Sequence, residues 1–386
     1  MGNIRGRYAI AGIGETEVGR RSEKSGTALG LQAAAAAIRD SGIDKNEIDG
    51  VITHQPRNNP QANCSALLSE RLGICPAYIN ETSLSGSAAV AMVINAVAAI
   101  EAGLCTTVLC TSAGGGHAPS TDGRKHGVLA TGWEDFIYPF GAIAAPIDYA
   151  LAARRHMHEY GTTSRQFGAI AVACRRHASL NPNAQMRTPI TIEDHQNSRM
   201  IADPFRLLDC SLVSAGEGAV IVTSAERARD CPQPPAYVLG MGSSCRFGSA
   251  AYAKNLTTVA GKDASARAYR MAGLGPKDID LAELYDCFTY TVLVTLEDYG
   301  FCPKGEGGRF VEGGRIELGG ELPVNTHGGL LSQAHVGGIL HVTEAVTQLR
   351  REAGARQVKD AEVAVVSGQC GQLGIHKTLL LAAGPN

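Results

Sequence analysis

The sequence predicts an α/β protein built from two similar βαβαβ halves. Short apolar runs that suit buried strands alternate with alanine-rich runs that suit helices, and glycines separate them along most of the chain. Such alternation is typical of a mostly parallel sheet covered by helices. The second part of the chain repeats this order and echoes the first at two places, so the pattern indicates an internal duplication.

The first half contains the clearest predicted elements. Apolar runs predict strands at 8–13, 48–53 and 107–112, and a return to the sheet at 203–205 and 217–222. Helices are predicted at 27–41, 66–72 and 88–102. The last of these helices is too apolar for a solvated surface, which is one argument for a homodimer.

The second half echoes the first in two segments. Gly275–Asp280 follows the pattern of Gly42–Asp49, and a strand is predicted after each. A predicted helix at 337–351, a strand at 361–366 and a glycine-rich loop then repeat the order of the helix at 88–102, the strand at 107–112 and the loop at 114–116.

These echoes divide the chain into two predicted domains. The N-terminal half spans 1–230, the C-terminal half spans 236–386, and a proline-rich segment joins them. Residues 118–201 form an insertion in the first half, which we predict to be irregular apart from a helix at 146–160. An insertion of this length is too long for a simple connection, and we expect it to face the substrate.

The composition excludes several classes of function. The 386 residues carry a formal net charge of −2, so no general attraction to nucleic acid or to an anionic membrane is expected. No apolar run reaches the roughly 18 residues of a membrane span. The 11 cysteines show neither a C-x-x-C pair nor zinc-ligand spacing, which indicates reduced thiols, a cytoplasmic protein and no bound metal.

The stretch Asn80–Ala89 is the first candidate for chemistry. A polar turn that contains Ser83 and Gly86 precedes the apolar helix predicted at 88–102. Free N–H groups at a helix start favour a nucleophile placed there and supply donors for an oxyanion. A serine that only caps a helix produces the same pattern, so this stretch alone does not decide between the two.

Five segments together resemble the thiolase superfamily, close to its SCP2-thiolase, or lipid-transfer-protein, branch. They are Gly12–Thr16, Ser83–Ser87, Glu283–Thr289, His327–Gly337 and Gly368–Gly374, spread along nearly the whole chain. The resemblance implies a five-layer αβαβα fold with two halves related by a pseudo-dyad, and a homodimer. It also implies a coenzyme A thioester as substrate, and members of this branch often pair with a DUF35 subunit that combines an OB-fold with a zinc ribbon.

The resemblance assigns candidate catalytic residues one by one. Ser83 stands where thiolases have the cysteine that carries the acyl group. His335 matches the histidine that activates this cysteine, although its two neighbours differ from those of the family motif. Tyr285 occupies a position that is often His or Asn, and Cys370 matches the second cysteine, which acts as acid and base.

Weaker expectations concern the oxyanion and the coenzyme. Backbone N–H groups of Gly86, Gly371 and Gly374 are expected near the oxyanion, although the glycine pattern after the last cysteine departs from that of the family. Arg154, Arg155 and His117 are candidates for contacts with the coenzyme A phosphates. The alternative for the two arginines is a solvated helix face, and the alternative for the histidine is an ordinary loop position.

Serine at position 83 leaves three interpretations open. A serine hydroxyl is a far weaker nucleophile than a thiol and needs a strong base beside it. Ser83 is natural in a protein that has abandoned covalent catalysis, or it is an engineered replacement in a true thiolase. In the third interpretation it is a working serine nucleophile or part of an inactive scaffold.

The first interpretation has a precedent in the family, because steroid side-chain aldolases that resemble this chain lack the nucleophilic cysteine and use tyrosines near the third and fourth motifs. Tyr285 matches one of these tyrosines and His335 stands at the position of the other. We therefore expect retro-aldol cleavage of a β-hydroxyacyl-CoA, in which Tyr285 deprotonates or orients the β-hydroxyl, His335 holds the enolate oxygen and Cys370 protonates the departing α-carbon. Thiolysis of a β-ketoacyl-CoA and a non-catalytic acyl-CoA or lipid carrier are the alternatives.

Overall fold

The computed structural model describes residues 4–54, 63–111 and 144–385, together with Pro139 and Gly141. Its strands are β1 (Tyr8–Glu15), β2 (Gly50–His54), β3 (Tyr78–Thr82), β4 (Thr107–Thr111), β5 (Met200–Ala202), β6 (Phe205–Arg206), β7 (Gly218–Ser224), β8 (Ala236–Cys245), β9 (Leu281–Glu283), β10 (Val363–Cys370) and β11 (Ile375–Ala382). Its helices are α1 (Gly26–Ser41), α2 (Cys64–Leu72), α3 (Ala88–Glu101), α4 (Ala145–Tyr160), α5 (Ser164–Ser179), α6 (Ile192–Asn197), α7 (Ala225–Arg229), α8 (Gly261–Ala272), α9 (Thr289–Asp298), α10 (Gly307–Phe310), α11 (Gly329–Ser332) and α12 (Ile339–Leu349).

Nine strands form one sheet, and the strand arrangement on one side of its central junction resembles that on the other side. The order is β3-β2-β4-β7-β1-β8-β11-β10-β9, and β1 meets β8 at only two residue pairs. On one side of this junction β1, β7 and β4 are antiparallel neighbours, and β8, β11 and β10 are antiparallel neighbours on the other. The repeated order agrees with the predicted duplication of one βαβαβ design.

Helices α3 and α12 form a layer between the two half-sheets. Apolar side chains of both helices share one buried cluster with strands from both halves, including Ile10, Val93, Val342 and Leu381. Helices α1 and α8 cover the outer faces, where glycines of β1 and β8 permit close contact with the helix backbones. Helix, half-sheet, helix, half-sheet and helix therefore stack as the five layers that the sequence resemblance implies.

Three expectations about this fold are wrong. Phe205 does not return to the main sheet, because β5 and β6 pair with each other as a separate two-stranded sheet. The insertion is not largely irregular, since it also contains α5, which begins with a capping box between Thr163 and Gln166, and α6. The apolar composition of α3 is satisfied within one chain, and it is therefore no argument for a dimer.

One expectation is not tested by this description. The boundary between the predicted domains at 230–236 falls between α7 and β8, and it stays a prediction.

Among the described residues, no helix has the length and apolar character needed to cross a membrane.

The contact between β8 and α8 generates a stability prediction. A Cβ on Gly242 would lie 1.8 Å from the carbonyl oxygen of Ala264, so Gly242→Ala must separate the strand from the helix. We expect a loss of roughly 1–3 kcal/mol in the free energy of unfolding, measured by denaturant titration. Gly248→Ala is the control, because no atom lies within 4 Å of its Cβ position. Equal stability of the two variants would contradict the close packing described here.

Candidate active site

The turn after β3 is shaped around a glycine. Ser83 follows the strand and is exposed, and a 3₁₀ turn at Ser85–Ser87 leads directly into α3. A Cβ on Gly86 would lie 2.1 Å from the Tyr285 ring carbon Cζ and 2.5 Å from the carbonyl oxygen of Gln369. Only glycine permits this approach, which brings the turn of the first half against two motifs of the second half.

Tyr285 lies at the centre of a chain of hydrogen bonds. It follows β9 closely, is 5% exposed, and its backbone N–H donates to the Ser367 hydroxyl at 2.9 Å. Its phenol oxygen lies 3.0 Å from Nε2 of His335. On the other side of the imidazole, Nδ1 lies 3.0 Å from the Ser211 hydroxyl. The ring of His335 is therefore held between a buried phenol and a serine.

The environment of Tyr285 keeps its phenol protonated. Burial raises its pKa well above the ordinary value of a tyrosine, and negative charge on Cys287, Asp286 and Cys370 would raise it further. We therefore assign the phenol as the donor to Nε2 of neutral His335, which leaves Nδ1–H to donate to Ser211. In this tautomer the phenol oxygen of Tyr285 can accept a proton while its own proton moves to Nε2 of His335. The imidazole is therefore the base of the pair.

Asp286 ties the tyrosine segment to the histidine segment. Its buried carboxylate accepts hydrogen bonds from the backbone N–H groups of Leu330 at 2.8 Å and Leu331 at 3.2 Å. The same carboxylate lies 3.1 Å from Nε2 of His341 on α12. These contacts fix the loop that precedes His335 relative to the neighbouring Tyr285.

Cys370 completes the group from the end of β10. Its side chain is 8% exposed, and the Ser87 hydroxyl, which also contacts the Leu84 carbonyl at 2.9 Å, lies 3.4 Å from its sulfur. The carbonyl of Gln369, the residue before Cys370, packs together with the Tyr285 ring against Gly86. The structure thus brings Gly86, Tyr285, His335 and Cys370 into one cluster, and Ser83, three residues before Gly86, is exposed.

The other two glycines differ in what they can offer an oxyanion. Gly371 begins the turn after β10 with a φ of +60°. The N–H of Gly374 donates to the carbonyl oxygen of Gly371 at 2.9 Å, and its Cα packs against the backbone of Phe247. The expectation that Gly374 supplies an oxyanion donor is therefore wrong, because its N–H is already used within the turn.

The candidates for the coenzyme A phosphates receive no support from this geometry. Arg154 pairs with Asp203 at 3.1 Å and Arg155 with Glu159 at 2.6 Å, and the arginine side chains are 56% and 59% exposed. This arrangement matches the solvated helix face that was the alternative interpretation. His117 lies outside the described residues.

Sequence reasoning missed two residues that the structure adds to the cluster. Ser211 lies on the connection before β7 and gave no motif signal. Tyr149, in the first turns of α4, is buried, and its phenol oxygen accepts a hydrogen bond from Nε2 of Gln369 at 3.4 Å. Its ring lies 4.7 Å from the ring of Phe288. An aromatic residue near the start of the predicted insertion helix was the only available signal.

Comparison with known proteins identifies the family. Residues 242–383 match the family model described as thiolase C-terminal domain-like. A steroid side-chain-cleaving aldolase of Thermomonospora curvata is 37% identical over 366 residues, which cover 91% of this chain and 92% of the relative. This chain belongs to the thiolase superfamily, in its SCP2-thiolase-like branch. The 17-hydroxy-3-oxo-4-pregnene-20-carboxyl-CoA lyase of Mycobacterium tuberculosis is 37% identical as well, over 90% of this chain and 92% of that protein.

Solved structures of the superfamily agree with this assignment. The structure titled Ltp2-ChsH2(DUF35) aldolase has a TM-score of 0.89 and 36% identity, and the match covers 98% of both chains. Human mitochondrial 3-ketoacyl-CoA thiolase has a TM-score of 0.72 at 16% identity, which shows the shared fold alone. The predictions of a thiolase-like fold, of the SCP2-thiolase-like branch and of a thiolase-like enzyme are thereby confirmed.

Proposed function

We propose that this thiolase-like enzyme cleaves the Cα–Cβ bond of a β-hydroxyacyl-CoA by a retro-aldol reaction without an acyl-enzyme. The observation that carries the proposal is the buried Tyr285–His335 hydrogen bond of 3.0 Å, with Cys370 nearby and no cysteine at position 83. The names of the aldolase and lyase relatives support the same class of chemistry.

The first half of the proposed reaction uses the tyrosine–histidine pair. The β-hydroxyl of the substrate donates its proton to the phenol oxygen of Tyr285, while the phenol proton moves to Nε2 of His335. The oxygen then forms a carbonyl, and the electron pair of the Cα–Cβ bond moves to Cα as a thioester enolate. The positive charge of the His335 imidazolium then stabilises the negative charge on the enolate oxygen.

The second half returns a proton to carbon. Cys370 donates its thiol proton to Cα of the enolate, which produces the shortened acyl-CoA. The proton held on His335 then passes through Tyr285 to the Cys370 thiolate and restores the starting state. The β-hydroxyl proton therefore ends on the thiol and the thiol proton ends on Cα, so the cycle is balanced without an added reagent.

This order changes one role expected from the sequence. His335 was expected to hold the enolate oxygen directly, and Tyr285 to deprotonate or orient the β-hydroxyl. Burial keeps the phenol protonated, so Tyr285 acts as a relay and His335 as the base. Coenzyme A enters as the thioester carrier of the substrate, and Arg154 and Arg155 stay predicted contacts for its phosphates.

A second candidate function is acyl transfer through Ser83. An acetyl-CoA acetyltransferase of Methanothermobacter thermautotrophicus is 33% identical over 95% of this chain and 98% of that protein, which favours this alternative. Against it, both ring nitrogens of His335 already contact Tyr285 and Ser211. A serine nucleophile needs a base aligned with its own hydroxyl.

Substitutions at two positions separate these functions. Tyr285→Phe removes the proton relay and should lower turnover of a β-hydroxyacyl-CoA by roughly 10²–10⁴-fold. Ser83→Ala should leave turnover nearly unchanged, because Ser83 takes no part in the proposed steps. An inactive Ser83→Ala variant together with an activated Ser83→Cys variant would establish a thiolase instead. An acyl adduct on Ser83 in intact-mass spectra would likewise overturn the proposal.

We also propose a homodimer formed through β3, as the family resemblance implies. Among the described residues, β3 has a paired strand on one side only, and Ile79 on it is 51% exposed. An unpaired edge of this kind is a template for pairing with another chain. Light scattering at micromolar concentration should give a dimer, and Ile79→Lys should shift it toward monomer. The control is Leu104→Lys, which changes a side chain that is 54% exposed outside any strand. A monomeric parent protein would contradict the proposal.

A heteromer with a DUF35 OB-fold and zinc-ribbon subunit is the second partner that we propose. The solved aldolase with a TM-score of 0.89 is named together with a DUF35 protein, which supports this expectation. Co-expression with a DUF35 protein encoded beside this gene should give a complex that co-purifies. Separate elution of the two proteins on size exclusion would count against it.

A cytoplasmic location is also part of the proposal. No two of the 11 cysteines are joined by a disulfide in the structure, which suits a reducing compartment.

A further inference from the structure

Two consecutive residues of α4 contact the two glutamines that flank Cys370. The Asp148 carboxylate accepts a hydrogen bond from Nε2 of Gln372. The Tyr149 phenol oxygen accepts one from Nε2 of Gln369 at 3.4 Å. Both α4 side chains are buried, with 6% exposure each. A helix of the insertion therefore contacts the chain on both sides of the thiol.

The backbone on one side of the thiol has an unfavourable conformation. Gly371, Gln372 and Leu373 have φ values of +60°, +50° and +80°, so two residues with side chains adopt the left-handed region. That region is unfavourable for residues with a Cβ and persists only where surrounding contacts impose it. Gln372 has such contacts, because its Oε1 accepts the N–H of Ala250 at 2.9 Å while its Nε2 donates to Asp148.

Tyr149 connects the other side of the thiol to the tyrosine motif. Besides accepting from Gln369, it places its ring 4.7 Å from the ring of Phe288, which lies three residues after Tyr285. The carbonyl of Gln369 in turn packs against Gly86. One phenol thus bridges the segments that carry the two proposed acid–base groups.

We infer that Asp148 and Tyr149 are positioning residues that fix Cys370 at the place where it protonates Cα. The inference rests on the proposed function for the role of Cys370, but its structural part does not. Without the two contacts, the strained turn is free to relax and the thiol moves relative to Tyr285. A displacement of about 1 Å in an active site is enough to cost roughly 10²-fold in rate.

Asp148 offers a matched pair of variants. Asp148→Ala removes the acceptor for Gln372, whereas Asp148→Asn keeps an oxygen acceptor of the same shape. For the full chain, together with any subunit that co-purifies, we expect the alanine variant to lose roughly 10- to 100-fold in kcat with little change in KM. The asparagine variant should retain most of the activity.

Gln372 and Tyr149 test the two contacts separately. Gln372→Gly loses the side-chain contact but suits the left-handed backbone, whereas Gln372→Ala loses the contact and keeps the strain. The alanine variant should therefore be the more impaired of the two. Tyr149→Phe removes the hydrogen bond with Gln369 and keeps the ring contact with Phe288, so it should lower kcat with little change in the unfolding temperature.

The readout that separates positioning from general stability is the reactivity of Cys370. The rate of alkylation by iodoacetamide at this residue, followed by peptide mass spectrometry, should change severalfold in Asp148→Ala and Tyr149→Phe and not in Asp148→Asn. Unchanged alkylation and unchanged kcat in the folded variants would overturn the inference, as would identical behaviour of the Asp148 variants. If Asp148→Ala does not fold, the order of the two Gln372 variants decides.

A control distinguishes this inference from the proposed function. Full activity of Cys370→Ala would remove the assigned role of the thiol in the retro-aldol reaction. The alkylation rates of the Asp148 and Tyr149 variants would still report whether α4 fixes the thiol, because that measurement does not depend on turnover.

Discussion

The approach of Gly86 to the ring of Tyr285 is the contact on which the rest of the site depends. The glycine belongs to the turn between β3 and α3, and the tyrosine follows β9 in the other half. A Cβ on Gly338 would lie 3.1 Å from Cδ2 of the same ring, so two glycines pack closely against the phenol. This confinement directs its hydroxyl at His335, and it is possible only because neither neighbour has a side chain.

A set of buried carboxyl groups and a buried histidine keeps the two halves in register. Glu15 at the end of β1 accepts a hydrogen bond from Thr343 on α12, and burial raises the pKa of its carboxyl. A ring nitrogen of His327 lies 2.8 Å from Glu283 within ion-pair distance, although the two atoms are not aligned as a hydrogen bond. Burial alone would lower the pKa of this histidine, but the interaction with Glu283 and the charges of Glu344 and Asp286 together outweigh burial and raise the pKa. Such groups are stable only as a set, because loss of one partner leaves the others buried and uncompensated.

Sequence reasoning succeeded where the signal is local. The predicted strand 107–112 and helix 88–102 agree with β4 and α3 to within one residue at each end, because an apolar run flanked by glycine fixes both bounds. Sequence reasoning failed for elements whose structure or burial depends on tertiary packing. Helix α5 has an amphipathic pattern with a basic end and was predicted as irregular chain, and the apolar composition of α3 suggested a dimer although its partners are strands of its own chain.

The candidate site shows the same division. Tyr285, His335 and Cys370 lie in motifs and were found from the sequence. In the structure Tyr285 contacts both Gly86 and His335, and Cys370 contacts Ser87. Ser211 and Tyr149 were not found, because each reaches the site through tertiary contacts that no spacing along the chain reveals. Ser211 contacts His335, and Tyr149 contacts Gln369 beside Cys370. Each therefore supports a residue that was itself predicted from the sequence.

The loss of the cysteine at position 83 is consistent with the chemistry that the remaining groups support. Thiolysis needs a nucleophile that is partly ionised at neutral pH, and a thiol meets this need far better than a hydroxyl. Retro-aldol cleavage needs no nucleophile, because it moves one proton from oxygen and returns one to carbon. In the proposed reaction Tyr285 and His335 remove the first proton, and Cys370 delivers the second. A base committed to a phenol at 3.0 Å is poorly placed to activate an exposed serine, so the same hydrogen bond that favours one reaction disfavours the other.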